Sequence, residues 1–269
     1  MQNIDENSLL IINPIASRDE IGQLSEVFTG MMQRINTLMS NLKLREKQKR
    51  DAELKVLQAQ ISPHFLYNTL NTIRYLSKLQ HVKNIEEVTK SLIELLRISI
   101  GNDDELITIR AELEHVKNYL IIQKYKYSDK FTVIFDVDED ILNCKTLKLI
   151  LQPIVENALI HGLEPVETKG VIQIKAVKIQ NVVNISVTDN GTGITPEQIC
   201  SIMSSRLNND RLRFSGIGIS NVNERIKLHF GEEFGIKITS QPGLFTTVDV
   251  SIPLLRGEED VCAQGFNSR

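Results

Sequence analysis

No run of about 18 apolar residues, the length that spans a bilayer as a helix, occurs anywhere in the 269 residues. The apolar stretch Leu9 to Ile12 is followed closely by Pro14 and is far too short to cross. No charged-then-apolar secretion signal stands at the N-terminus, so the chain as it stands is expected to be soluble. Cysteine is scarce: Cys144, Cys200 and Cys262 are far apart, odd in number and without metal-ligand spacing. That excludes a disulfide framework and fits a reducing compartment. Excess charge of either sign is also missing. With 31 basic and 34 acidic residues, a formal charge of -3, nucleic acid is not an expected partner.

What is present is apolar side chain, 41% of the residues, enough for a sizeable core and two modest domains. In the first half the pattern is helical. Ile21, Leu24, Phe28, Met31, Ile35, Leu38 and Leu42 recur at spacings of three and four, the heptad seam of a coiled coil. That register puts Arg45 and Lys49 on the seam, and the stripe restarts out of phase at Leu54, Leu57 and Ile61. The slip makes Lys43 to Lys55 either a segment that passes on rotation or a solvated helical linker. A second helix is predicted from about Ile85 to Ile100, stopped by Gly101-Asn102-Asp103-Asp104, and a third from Ile109 to Tyr127. Short connections favour antiparallel neighbours, and a helical hairpin with an uncovered apolar face favours a homodimeric four-helix bundle.

After Ser128-Asp129 the pattern changes. Phe131 to Val137, Val171 to Lys178, Val182 to Thr188, Gly235 to Ser240 and Phe245 to Ile252 read as strands, and Leu147 to Leu163 and Ile217 to Phe230 as helices. The second half is therefore a mixed α/β layer structure, with a polar, aperiodic and disordered tail expected from Arg256 onward.

Chemistry concentrates in four segments. In Gln60 to Asn68, Pro63 removes a backbone donor, so a helix passing through should bend beside His64. A neutral imidazole is a nucleophile near neutral pH, although a histidine here also suits an ordinary surface position. In Leu151 to Gly162, Glu156, Asn157 and His161 interrupt an apolar helix. They are either polar residues meeting water at a helix end or part of a magnesium site, in which the Asn157 amide oxygen joins substrate phosphates. Asp189-Asn190-Gly191-Thr192-Gly193 follows a strand. It is an Asn-Gly turn, or a carboxylate that accepts from an exocyclic amine beside glycines that admit a flat ligand. Ser215 to Asn221 places Gly216 and Gly218 at a helix start, where free N–H groups meet phosphate. Neither the Rossmann nor the Walker glycine spacing is met.

In this order and spacing, the four segments resemble the LytS/YesM-type sensor histidine kinases over residues 50 to 255. Residues 60 to 71 look like that family's phosphoacceptor box, Gln152 to Gly162 its N box, and Asp189 to Gly193 and Gly216 to Arg225 its glycine boxes. The resemblance implies an α + α/β chain: a coiled coil and dimeric helical hairpin (four-helix bundle), then an α/β sandwich of the Bergerat (GHKL) type. It implies ATP and Mg²⁺ as cofactors. His64 would be the phosphoacceptor and Asn157 the Mg²⁺ ligand, with Glu156 and His161 nearby. Asp189 would bind the adenine amine, Gly191 and Gly193 would shape the adenine pocket, and Gly216, Gly218 and Asn221 would line the triphosphate. Residues 195 to 215 would form a mobile lid from which Arg206, Arg211 and Arg213 reach phosphate.

Asp19 to Leu24 with Phe28, Met31 and Ile35 is similar to the second helix of a HAMP module. The implied division is 1-42 partial HAMP and coiled coil, 43-128 dimerisation and phosphotransfer hairpin, 129-255 ATP-binding domain and 256-269 tail. The implied partners are a second copy of the chain and a response-regulator receiver domain, and the implied location is the cytoplasmic face of the cell membrane, through an anchor before Met1. Phe65 stands where many other histidine kinases have an acidic residue that can act as base. Asn68, one turn on, can orient the imidazole or a water but cannot take a proton. Pro153 occupies the position where gyrase-like or chaperone-like hydrolases look for a glutamate, against hydrolysis as the main activity. A non-enzymatic ATP-sensing scaffold is the remaining alternative.

Overall fold

The computed structural model describes residues 27–42, 45, 46, 49, 63–100, 105–128, 130–203 and 217–256. It falls into two units, residues 1–66 and 67–269. In the first, helix α1 (residues 27–42) presents Phe28, Met31, Ile35, Leu38 and Leu42. These five seam residues are all exposed in the single chain. The expected register slip and the bend at Pro63 involve residues 51–62, outside the described ones.

Helix α2 (Pro63–Leu79) continues into the second unit. It ends where His81 turns left-handed at φ 57°. The N–H groups of His81 and Val82 donate back to Lys78 and Ser77 at 3.2 and 2.9 Å, which satisfies two end carbonyls. Helix α3 (Lys83–Ile100) follows, and its neighbour in the fold is α4 (Ile109–Lys126). The apolar residues Ile73, Leu76 and Leu79 of α2 are left exposed. Thr108 starts α4 by accepting the Ala111 N–H at 3.2 Å.

Five strands form the sheet: β2 (Phe131–Val137), β4 (Gly170–Ile179), β5 (Val182–Asp189), β6 (Gly235–Gln241) and β7 (Phe245–Pro253). Their order is β2-β4-β5-β7-β6, with β2 and β4 parallel and the other pairs antiparallel. Each matches its sequence expectation to within a residue at either end, because period-two alternation is what a sheet covered on one face requires. That face carries Ile172, Ile174, Val183, Ile185, Val250 and Ile252, all fully buried. It meets α4, α5 (Leu151–Asn157) and α7 (Ile217–Phe230) in one core that also holds Ile109, Val116, Ile154 and Ile226. The result is a two-layer α/β sandwich preceded by helices. α4 shares the core of the sandwich, so packing continues across residue 128. Truncating Ile185 to Ala on the central strand should cost about 2–5 kcal/mol, read from urea unfolding. A loss below about 1 kcal/mol would place the core elsewhere.

One helix differs from expectation. Leu147 to Leu163 is not continuous: Lys145–Leu147 is strand β3, paired antiparallel with β1 (Leu106–Thr108). Leu149 then turns left-handed at φ 61°, α5 begins at Leu151, and Ala158–Leu163 widens into a π turn. Pro153 thus sits in a first helical turn, where its missing N–H has no intrahelical partner to lose. The apolar run looked uniform because these residues are buried whatever their backbone conformation.

Candidate functional site

The π turn brings the second segment onto the third. The hydrogen of Gly162 faces the Asp189 carboxylate so closely that a Cβ there would lie 2.5 Å from Oδ1, and a Cβ on Gly191 would overlap the Gly162 carbonyl. The Thr192 N–H donates to the Gly162 carbonyl at 3.0 Å, and the Thr192 hydroxyl to the His161 carbonyl at 3.1 Å. Gly193, at φ 62°, lies against the backbone of Gln241, and Gly243 donates its N–H to the Thr192 carbonyl at 2.6 Å. The loop after β5 is thereby clamped between the π turn and the β6–β7 turn. A π turn at a binding site is a recurrent device, since one extra residue per turn redirects the chain that follows.

Between these elements lies a cavity of about 400 Å³. Apolar walls come from Ile154, Val187, Ile219, Ile238 and Val248, and the polar groups include Asn157, His161 and Asp189. Asp189 is 3% exposed. Burial pushes its carboxyl up to about 6 from 3.8, against the lowering effect of the Gly191 N–H that Oδ1 accepts at 3.0 Å. A desolvated carboxylate in the wall of a pocket is a strong acceptor for a ligand N–H. The Asn157 amide nitrogen donates to the Pro153 carbonyl at 2.7 Å, which commits the nitrogen and leaves the oxygen as the group that can accept. Mg²⁺ takes oxygen ligands and keeps part of its shell as water and substrate phosphate, so this amide oxygen is of the donor type such a metal would accept. Among the described residues no group of three or more His, Cys, Asp or Glu could hold a metal unaided. The chain's residues fit a metal that arrives with phosphate.

Of the expected site residues, Asn157, His161, Asp189 and Gly193 line the cavity together, and Gly191 buttresses it from behind. Gly218, in the first turn of α7, faces the start of α5; a Cβ there would stand 3.3 Å from the Pro153 Cβ and 3.7 Å from the Asn157 amide nitrogen. Glu156 is exposed on α5 and Asn221 is exposed on α7, both off the lining. Gly216, Arg206, Arg211 and Arg213 lie outside the described residues, while the expected lid begins as helix α6 (Pro196–Met203). Gln198 and Ser201 of α6 line the cavity, as does Thr246, and sequence reasoning named none of the three. Thr246 stands opposite Asp189 in the ladder, a relation fixed by strand pairing and carried by no local motif. His64 belongs to the first unit and is exposed at the start of α2, with Asn68 exposed further along the same helix.

Comparisons with known proteins match the chain to two family models in turn. Residues 52–131 match the model of the histidine kinase family, and residues 143–256 match that of the histidine kinase-, DNA gyrase B- and HSP90-like ATPases. Sensor histidine kinase YesM of Bacillus subtilis is 39% identical over 240 residues, 89% of this chain and 40% of YesM. The sensor histidine kinase YpdA of Escherichia coli is 37% identical over 217 residues, 80% of this chain and 37% of YpdA. YwpD of Bacillus subtilis, a putative uncharacterized protein, is 37% identical over 242 residues, 89% of this chain and 83% of YwpD. The chain belongs to the YesM/YpdA-type sensor histidine kinases. It spans about two fifths of the length of YesM and YpdA themselves. The cavity accordingly lies within the part of the chain that matches the ATPase model, and His64 within the part that matches the histidine kinase model. Among the described residues no helix is long and apolar enough to cross a membrane.

Proposed function

We propose that this chain binds Mg²⁺-ATP in the cavity, transfers the γ-phosphoryl group to His64 of its own kind, and then passes it to an aspartate of a response-regulator receiver domain. The observation that carries the proposal is the buried Asp189 carboxylate in the wall of a cavity that Asn157 also lines. An adenine places a hydrogen-bond donor on a flat apolar ring, which suits Asp189 between Gly191 and Gly193. Phosphates then extend toward Asn157, His161 and the first turn of α7, where Gly218 stands close to Asn157; the triphosphate roles of Gly216, outside the described residues, and of Asn221, off the lining, rest on the resemblance alone. Mg²⁺, when bound, spreads the charge of the phosphates.

In the transfer itself, the unprotonated ring nitrogen of His64 forms the new bond to phosphorus while the bond to the ADP oxygen breaks, and the proton on the other ring nitrogen passes to solvent. Little else is asked of side chains beyond orientation, as in phosphoryl transfer generally. Asn68, one turn from His64, is the proposed orienting group for the imidazole or for a water that later hydrolyses the partner's phosphate. Glu156, exposed and off the cavity lining, is the catalytic assignment with the least geometric support. Pro153 at the hydrolase glutamate position favours transfer over hydrolysis.

The exposed seam of α1 and the exposed Ile73, Leu76 and Leu79 of α2 support a homodimer, in which a second copy would cover both. Residues 1–42 are proposed as the end of a HAMP module leading to a membrane anchor, 43–128 as the dimerisation and phosphotransfer segment, 129–255 as the ATP-binding domain and 256–269 as a tail. The test is incubation of the chain with Mg²⁺ and γ-labelled ATP, then acid treatment and mapping by mass spectrometry. Acid-labile phosphate on His64 is expected. Tight ATP binding with no label would make the chain either a kinase held in its off state or a sensing scaffold, and fast release of free phosphate without label would make it a hydrolase.

A further inference from the structure

The start of α5 is capped from another helix. Its N-cap residue, Ile150, has no side-chain acceptor to offer. Instead Glu112 of α4, fully buried, accepts the Leu149 N–H through one carboxylate oxygen at 2.9 Å and the Leu151 N–H through the other at 2.8 Å. One turn further along α4, His115 Nε2 meets Gln152 Oε1 at 2.6 Å. From the opposite side, Arg225 of α7 donates to the Lys148 carbonyl at 3.0 Å. The short turn Lys148 to Ile150, strained at Leu149, is thus gripped by α4 and α7 together, and seven helical residues later the chain reaches Asn157.

Stability alone does not account for this arrangement. Burial drives the Glu112 carboxyl upward despite the N–H groups it accepts, so keeping it charged in the core costs the fold. His115 is 1% exposed and its Nδ1 has no partner among the described protein atoms, so burying this ring also costs the fold. What the buried pair adds is a rigid tie between α4 and α5. α4 in turn packs along α3, the helix that leads back to α2.

We infer that Glu112, with His115 beside it, is a positioning residue for the nucleotide site: through the α4–α5 tie it sets where Asn157 stands and carries displacements of the α3–α4 pair to the cavity. The inference rests on the reading of Asn157 as the contact to Mg²⁺ and phosphate. Its test uses the whole chain, comparing the affinity for ATP with and without Mg²⁺ in the parent and in Glu112→Gln, well below both melting temperatures. Gln keeps the shape of Glu but turns an amide N–H₂ toward one of the two N–H groups, so α5 must shift. The Mg²⁺-dependent gain in affinity is expected to fall at least about fivefold while Mg²⁺-free binding changes less than twofold. A lowered melting temperature with the Mg²⁺ gain intact would make Glu112 a structural cap only and overturn the inference. No Mg²⁺ gain in the parent would overturn the reading of Asn157, and this inference with it. Should Glu112→Gln fail to fold, Gln152→Met cuts the second tie while leaving the carboxylate in place. It is expected to lower the same gain two- to threefold, and an unchanged gain there equally overturns the inference.

Discussion

A His64→Gln chain should bind ATP within about twofold of the parent and take up no acid-labile phosphate, a loss of at least about a hundredfold in labelling. Glutamine matches histidine in size and polarity, but its amide nitrogen has its lone pair delocalised into the carbonyl and is no nucleophile. The substitution thus removes the reacting atom and little else. His64 is exposed, so no core contact is lost and far-UV dichroism should be unchanged. The cavity residues belong to the other unit, which is why affinity should survive. Binding measured by displacement of a fluorescent nucleotide, run beside the labelling assay, separates the two effects. Label persisting on another residue would remove His64 from the reaction. ATP binding lost together with label would mean that the substitution acts on the fold, and the assignment would then rest on no chemistry.

The fold was legible wherever one periodicity ran over one kind of backbone. β5 alternates Val183, Ile185, Val187 inward with Asn184, Ser186, Thr188 outward, and α4 runs from its Thr108 cap along an inward face of Leu113, Val116 and Leu120. Legibility failed at Leu147 to Leu163, where strand, left-handed turn, α-helix and π turn follow one another inside the same buried run. Burial there comes from the tertiary core, so hydrophobicity reports the core and not the local backbone. Pro153 was the one local signal, since a proline is best tolerated in a first turn. The cap that completes that turn is Glu112, about 40 positions earlier in the chain, and no local reading finds it.

The site divides along the same line. Asp189, Gly191 and Gly193 were legible as a cluster because they are neighbours in sequence, and Asn157 and His161 because they break an apolar pattern. Gly162 was present in the quoted N-box run, yet its necessity arises only from the approach of Asp189 across the π turn. Thr246 and Ile238 reach the cavity through the pairing of β5 with β7 and β7 with β6, which topology decides.

Asp189→Asn should make the nucleotide-free protein more stable at pH 8 while weakening ATP binding by about ten- to a hundredfold. The two effects have one cause. The carboxyl titrates at about 6 in the folded chain against an ordinary 3.8, because burial disfavours its charged form. A raised value contributes stability that is complete below about pH 4, where the folded and unfolded chains are both protonated, and that is lost as pH rises through about 6. At pH 8 the folded protein therefore carries a desolvated carboxylate at a cost of about 3 kcal/mol, each unit being about 1.4 kcal/mol. Asparagine has no charge to desolvate, and its amide oxygen can still accept the Gly191 N–H. The melting temperature at pH 8 should rise by roughly 5 °C or more, and the difference from the parent should shrink as the pH falls through about 6. Binding moves the other way. With its oxygen committed to Gly191, asparagine turns an N–H₂ group toward the adenine amine, donor against donor. Loss of a hydrogen bond to a charged acceptor is worth about 1.5–3 kcal/mol, which gives the affinity change above and erodes the preference for ATP over GTP. In the parent the same logic predicts that ATP affinity declines as the pH drops through about 6 and the carboxylate is protonated. A lower melting temperature for Asp189→Asn at pH 8 would place the cost of burial elsewhere, and an unaltered preference for ATP over GTP would show that the adenine does not meet Asp189.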